Sequence, residues 1–269
     1  MNQTSVLSRP GRHGRAIWAL TAAGAVLLLL LGLPLVVLLW RALQANPLAH
    51  LASASAAQAL GLSLLTSTLA VVIAIAFGTP LAYALARWSF RRRAWIETLI
   101  DLPVVLPPAV AGLALLVAFG RQSLIGQGLA AFGLSVPFTT FAVVLAQSFV
   151  AAPLYVRSAR IGFASIDPQL EEAAFTEGVD DWQLLTEIML PLSWRAVLSG
   201  IVLCWARALG EFGATLMFAG NLPGRTQTMP IAIYLGLEQN LDVALALSAV
   251  LIVASAGVLL LLRRLESSQ

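Results

Sequence analysis

No lysine occurs among the 269 residues of this chain, so all sixteen of its basic residues are arginine. Charge of either sign is scarce: 11% of residues are charged, against about 25% in an ordinary soluble domain. So few charges cannot cover a water-facing surface. With 59% hydrophobic residues and a mean hydropathy of +0.87, the bilayer is the natural solvent for this chain. The missing lysine also excludes the G-x-x-x-x-G-K-[ST] phosphate loop, so the chain has no standard ATP site of its own. One cysteine, Cys204 in an apolar run, excludes an internal disulfide framework and any Cys-x-x-Cys site. The two histidines, His13 and His50, have no partner at ligand spacing, so no metal site is expected. There is no Ser/His/Asp or paired-carboxylate constellation at a depth where chemistry could occur, so an enzyme is not expected. Nor is a nucleic-acid partner.

What is present is grease in long runs. Six are long enough to span at about 20 residues each: roughly 17–43, 58–86, 96–119, 138–159, 195–219 and 243–262. Continuous runs of this kind disfavour a barrel, whose strands alternate over about ten residues. The first run is too long for the 7–15-residue apolar core of a cleaved signal and is read as a retained span. The expected fold is therefore all-α, with six transmembrane helices. A tail over 1–16 precedes a membrane domain over 17–264, and a tail over 265–269 follows it.

Arginine placement sets the orientation. With the N-terminus inside, twelve arginines fall on the inner side: Arg9, Arg12, Arg15, Arg87, Arg91, Arg92, Arg93, Arg157, Arg160, Arg195, Arg263 and Arg264. Three fall outside, Arg41, Arg121 and Arg225, and Arg207 lies within the fifth run. Both termini are thus expected in the cytoplasm, with the connector 160–194 beside them. The outer loops, about 44–57, 120–137 and 220–242, are too short for a folded domain.

Prolines interrupt several runs. Pro34 and Pro80 are isolated, and prolines are in any case commoner in membrane helices. The third run carries "DLPVVLPPAVAG", with Pro103, Pro107 and Pro108 close together. Each frees backbone carbonyls that need a partner in lipid, so a bent or discontinuous helix lining a path is expected there, with Pro107 and Pro108 as path candidates. In the fifth run Arg207 and Glu211 are four apart and share a helix face. Charges at membrane depth default to a functional reading, while a purely structural pair remains the alternative for Arg207. For Glu211 a structural or gating role is favoured, because a carboxylate repels an anion. Thr215 offers its hydroxyl either to a passing solute or back to its own helix.

Seven of the thirteen acidic residues crowd into "DPQLEEAAFTEGVDDWQLLTEIMLPL", residues 167–192. The segment reads as two short helices. Asp167 and Pro168 begin the first, and Gly178 ends it. Asp180 and Gln183 form a capping box for the second, which Pro191 stops. Ala173 and Ala174 leave a smooth surface beside Glu171 and Glu172. A solvated connector would explain the charges but not this spacing.

Glu172-Ala173-Ala174, three residues, Gly178, nine residues, Ile188, then Leu190-Pro191 resembles the EAA loop of ABC importer permeases that work with a soluble binding protein. The resemblance implies a type I importer permease fold, with Glu171, Glu172, Ala173, Ala174, Gly178, Ile188, Leu190 and Pro191 forming the loop that couples to an ATPase. The carboxylates would pair with basic residues of that partner. Phe175, Thr176 and Glu177 depart from the apolar or basic residues often found just after the alanines. Implied partners are two ABC ATPase subunits carrying ATP and Mg, a second copy of this chain, a substrate-binding protein and membrane lipid, in a bacterial or archaeal cytoplasmic membrane.

Over residues 58 to the end, most densely 99–236, the sequence resembles the molybdate branch of these permeases: "LPVVLPPAVAG", "FGRQSLIG" and "LGEFGAT" followed by "NLPGRTQTMPIAIY". Molybdate is the implied cargo, with sulfate/thiosulfate or tungstate as alternatives. A secondary transporter would need coupling groups and internal repeats that are not evident. Arg121, Asn221, Arg225, Thr226 and Gln227 in the outer loops are candidates for docking the binding protein, or are ordinary polar loop tips.

Overall fold

A computed structural model describes residues 12–45, 54–89 and 91–267. Most of the expected N-terminal tail, with Arg9, lies outside the described residues, as do 46–53 of the first outer loop and the last two residues. The described residues form helices and no strand: α1 Arg12–Gln44, α2 Ala54–Arg87, α3 Arg93–Val105, α4 Pro108–Phe119, α5 Leu124–Ala131, α6 Thr140–Ala164, α7 Pro168–Thr176, α8 Asp181–Leu192, α9 Trp194–Leu209, α10 Gly213–Ala219, α11 Met229–Gln239 and α12 Leu241–Ser267.

Four of the six expected spans are single helices apolar enough to cross a membrane, within α1, α2, α6 and α12. The third is two helices, α3 and α4, bent by 116°. The bend is local chemistry. Leu106 precedes a proline and is forced into extended geometry (φ −63°, ψ 140°), and Pro107 itself is extended (φ −53°, ψ 134°). Two extended residues in a row end one helix, and Pro108 starts the next. The fifth expected span is also broken. Helix α9 stops at Gly210 and α10 restarts at Gly213, while α8 meets α9 at 82°. The loops expected on the outer side hold two short helices that hydropathy alone does not separate from loop. Of these, α11 starts with Pro230 in its first turn, a recognised helix-start position.

The bundle is built on α2, α6 and α9. Their shared core is rich in small side chains, including Ala70, Ala74, Ala82, Ala151, Ala159 and Ala208. In lipid, helices associate through close van der Waals packing rather than hydrophobic expulsion, and small residues permit the approach. A second cluster joins α4, α6 and α10 through Ala111, Val143, Ala214 and Phe218, and a third joins α2, α11 and α12 through Ala59, Met229 and Leu247. Helix α1 stands apart, exposed along most of its length and packed on α12.

The molecule has two chemically distinct ends. One gathers Arg87, Arg93, Arg157 and Arg160 with the connector helices α7 and α8. The other gathers the segments 120–139 and 220–228, where the Thr140 hydroxyl donates to the Arg225 carbonyl at 2.9 Å and the Met229 N–H donates to Ser63 Oγ at 2.7 Å.

Candidate functional site

The connector at the arginine-rich end folds as its capping residues dictate. Asp167 Oδ1 accepts from the Gln169 N–H at 3.0 Å to start α7. At the far end, Val179 N–H donates to the Ala174 carbonyl and Gly178 N–H to the Phe175 carbonyl, both at 3.1 Å. This paired pattern needs a left-handed residue between the helices, and Gly178 supplies it with φ +86°. Asp180 and Gln183 exchange the two hydrogen bonds of a capping box, at 2.8 and 3.2 Å.

Pro191 does not stop α8, which runs on to Leu192. Over Leu184–Met189 the helix widens to a π turn, in which the Leu190 N–H reaches back to Leu185. Pro191 has no N–H to give, and the wider turn relieves its clash with the preceding turn. The break comes at Ser193, whose hydroxyl donates to the Met189 carbonyl at 2.6 Å.

The residues expected to couple divide into two faces. Glu172, Ala173, Gly178 and Pro191 are exposed, and Ile188 and Leu190 are half-buried against the core. Ala174 is buried, so it belongs to the core and not to the smooth outer surface expected of it. Glu171 also turns inward, where its carboxylate forms an ion pair with Arg87 at the end of α2. It is therefore unavailable to a basic partner. Burial pushes the Glu171 carboxyl up and the Arg87 guanidinium opposes this, with burial the larger effect. Because folding raises its proton affinity, Glu171 contributes stability that is full below its ordinary value of 4.5 and is lost as pH rises through the folded value. Beside the exposed Glu172, the large apolar side chains Leu170, Phe175 and Trp182 stand exposed at the same end.

Arg87 and its role were not legible as a site in the sequence, where it counts only as one inner arginine. Its side chain is 11% exposed. Besides pairing with Glu171, its Nη2 donates to the Ile166 carbonyl at 3.0 Å and approaches Met189 Sδ at 3.9 Å. Nearby, Glu97 of α3 lies between Arg93, at 2.8 Å, and Arg160 of α6, and Asp101 pairs with Arg157 at 3.5 Å. These pairs tie α3 to α6 at the same end.

The path candidates meet where two breaks face each other. A Cβ placed on Gly213 would lie 2.6 Å from Pro108 Cβ, and one on Gly112 would lie 2.7 Å from Met217 Cβ and 2.8 Å from the Ala214 carbonyl. Helices α4 and α10 thus touch closely, with Pro107 and Pro108 exposed at the junction. We expect Gly213→Leu to cost about 1–3 kcal/mol through overpacking, seen as a lowered thermal midpoint of the purified protein, while Gly128→Ala, with open space around its Cβ, leaves the midpoint unchanged.

Arg207 Nη1 pairs with Glu211 Oε2 at 2.7 Å. Glu211 is 1% exposed, and its Oε1 accepts from the Ala214 N–H at 2.7 Å. The carboxylate therefore bridges the break, neutralising Arg207 and capping α10, which is a structural role. Thr215 is fully buried, and its hydroxyl does not bond back to its own helix and has no partner among the described residues. Gln147 of α6 is likewise fully buried, with neither amide atom partnered among the described residues. Its only sequence signal was one amide inside an apolar run.

At the other end, Arg121 and Arg225 are exposed. Arg121 lines a cavity of about 760 Å³ with Phe138 and Gln122. Thr226 is not a surface residue: it is fully buried, and its Oγ1 accepts from the Leu222 N–H at 2.9 Å to close the turn. Gln227 Nε2 donates to Asn221 Oδ1 at 3.0 Å, and both line a second cavity of about 510 Å³ beside Gln239 and Asn240.

Residues 74–267 match the family described as "Binding-protein-dependent transport system inner membrane component". The chain is 45% identical over 206 residues to the molybdenum transport system permease protein ModB of Mycobacterium tuberculosis, covering 77% of this chain and 78% of that one. It is 43% identical over 178 residues to ModB of Escherichia coli K12, covering 66% and 78%. Its fold is that of a chain in the crystal structure of a bacterial ABC transporter that imports the acidic polysaccharide alginate. The TM-score is 0.76 at 17% identity, covering 96% of this chain and 98% of that one.

Proposed function

This chain belongs to the family of binding-protein-dependent transport system inner membrane components and is a multi-pass protein of the cytoplasmic membrane, and from that premise we propose that it is the permease subunit of an ATP-driven molybdate importer. The observation that carries the proposal is the outward face of the α7–α8 connector. Glu172 and Ala173 stand exposed beside Phe175 and Trp182, on a turn that Gly178 fixes. An acidic rim around large apolar side chains fits a docking surface with basic and apolar complements. Two ATPase subunits, holding ATP and Mg, are assigned to the connectors of two copies of this chain. The arginine-rich end, with both termini, is assigned to the cytoplasm. A binding protein then delivers its anion to the opposite end, where Arg121 and Arg225 are exposed. Closing the ATPases moves the connectors and switches the path between its two openings.

Molybdate is favoured as cargo by the two ModB proteins at 45% and 43% identity. The test is uptake into proteoliposomes that hold this chain, its ATPase and internal ATP, with the binding protein and molybdate, tungstate or sulfate supplied outside. ATP-dependent molybdate uptake that exceeds sulfate uptake is expected. Sulfate uptake alone overturns the cargo, and molybdate uptake that needs no ATPase overturns the importer.

A further inference from the structure

We propose that Arg87 is the positioning residue that carries movement of the connector into the transmembrane bundle, by locking α7, α8 and the end of α6 to the end of α2. This rests on the transport reading above and adds the residue through which that site acts.

Three observations support it. Arg87 is the last residue of α2, and its guanidinium meets three separate elements: the Glu171 carboxylate on α7, the Ile166 carbonyl just beyond α6, and Met189 on α8. The planar, multi-donor guanidinium suits such a junction better than a point charge does. The pair is enclosed, with 11% and 14% side-chain exposure, so a displacement of α7 cannot be absorbed by water slipping between the charges. Burial opposes the arginine's pull on Glu171, so the pair is not held there for stability alone. A buried pair that adds little stability still fixes position.

What Arg87 holds is a long lever. Helix α2 runs unbroken for 34 residues, about 50 Å at helical rise. It is fastened to α6 two turns before Arg87 by the Thr79–Tyr155 hydroxyl pair at 2.6 Å, and towards its other end Ser63 Oγ accepts from Met229 N–H, the start of α11. A shift at Arg87 is thereby delivered to the segment 221–229 at the opposite end, beside the cavity where Asn221 and Gln227 sit.

The test uses the complex of this chain, its ATPase and its binding protein in liposomes, comparing Arg87→Ala, Arg87→Lys, Glu171→Gln and the exchange Arg87→Glu with Glu171→Arg. ATPase co-purification, basal hydrolysis, hydrolysis stimulated by molybdate-loaded binding protein, and thermal midpoint are read together. Arg87→Ala and Glu171→Gln are expected to keep the ATPase bound and basal hydrolysis within about twofold, while stimulation falls about tenfold. Glu171→Gln, whose amide oxygen can still accept from Arg87, lowers the midpoint only slightly, and Arg87→Lys restores part of the stimulation. The exchange restores none, because a carboxylate at 87 cannot donate to the Ile166 carbonyl. Full stimulation in both Arg87→Ala and Glu171→Gln overturns the proposal, as does loss of the ATPase together with a lowered midpoint in Glu171→Gln and Arg87→Lys. A wild-type complex that binds its ATPase yet shows no stimulation overturns the transport reading itself.

Discussion

Glu211→Ala is expected to reduce the stability of the membrane bundle by about 3–5 kcal/mol, the range for removing one partner of a buried ion pair. The loss has two sources. Arg207 keeps a charge at membrane depth with no counter-ion, and the Ala214 N–H at the start of α10 loses its acceptor. Glu211→Gln keeps one oxygen, which can still cap the Ala214 N–H while the Arg207 pair is lost, so its cost falls short of the alanine loss. Arg207→Ala is damaging for the complementary reason, because it leaves a carboxylate that is 1% exposed without its cation. Folded yield and thermal midpoint should therefore fall before transport per folded molecule does. If Arg207→Ala protein instead accumulates with a normal midpoint and transports slowly, Arg207 acts on the anion directly. The pair Arg207→Leu with Glu211→Gln should recover much of the alanine loss, since it removes the stranded charge and keeps the cap.

The structure of this break also marks how far the sequence could be read. The helices crossing the membrane were legible because an apolar run admits few alternatives in lipid. The break at Pro107 and Pro108 was legible because proline's geometry is local. The break at Gly210–Phe212 was not, since Glu211 ends α9 only by capping α10 and pairing with Arg207. Glu171 shows the same limit. Its spacing of three from Ala174 places both on one helix face, but which face turns inward is decided by Arg87, 84 positions earlier. Thr226 has the composition of a loop tip, yet the turn folds over its hydroxyl. Helix starts such as Asp167 and Asp180 were readable to the residue because a cap acts within three positions.

Gly178 is a local position with a distant effect, and Gly178→Val is expected to abolish coupled transport, with uptake down about a hundredfold while insertion into the membrane continues. The reason is dihedral, not spatial. Nothing lies within 4 Å of a Cβ built there, yet φ is +86°. A left-handed residue costs roughly 1–2 kcal/mol for an ordinary side chain, and a β-branched one suffers most. Such a cost is too small to unfold a bundle held by α2, α6 and α9, but it is enough to open the pair of hydrogen bonds from Gly178 and Val179 that closes α7. The exposed face of Glu172, Ala173 and Phe175 then loses its fixed angle to Trp182 on α8. Gly178→Asn, which tolerates the left-handed region, should retain much of the uptake. Binding-protein-stimulated ATP hydrolysis measured beside membrane-inserted protein separates the cases. Normal coupling in Gly178→Val would show that the angle between α7 and α8 is not what the ATPase reads, and equal losses in Gly178→Val and Gly178→Asn would place the requirement in the bare backbone surface at 178, not in its conformation.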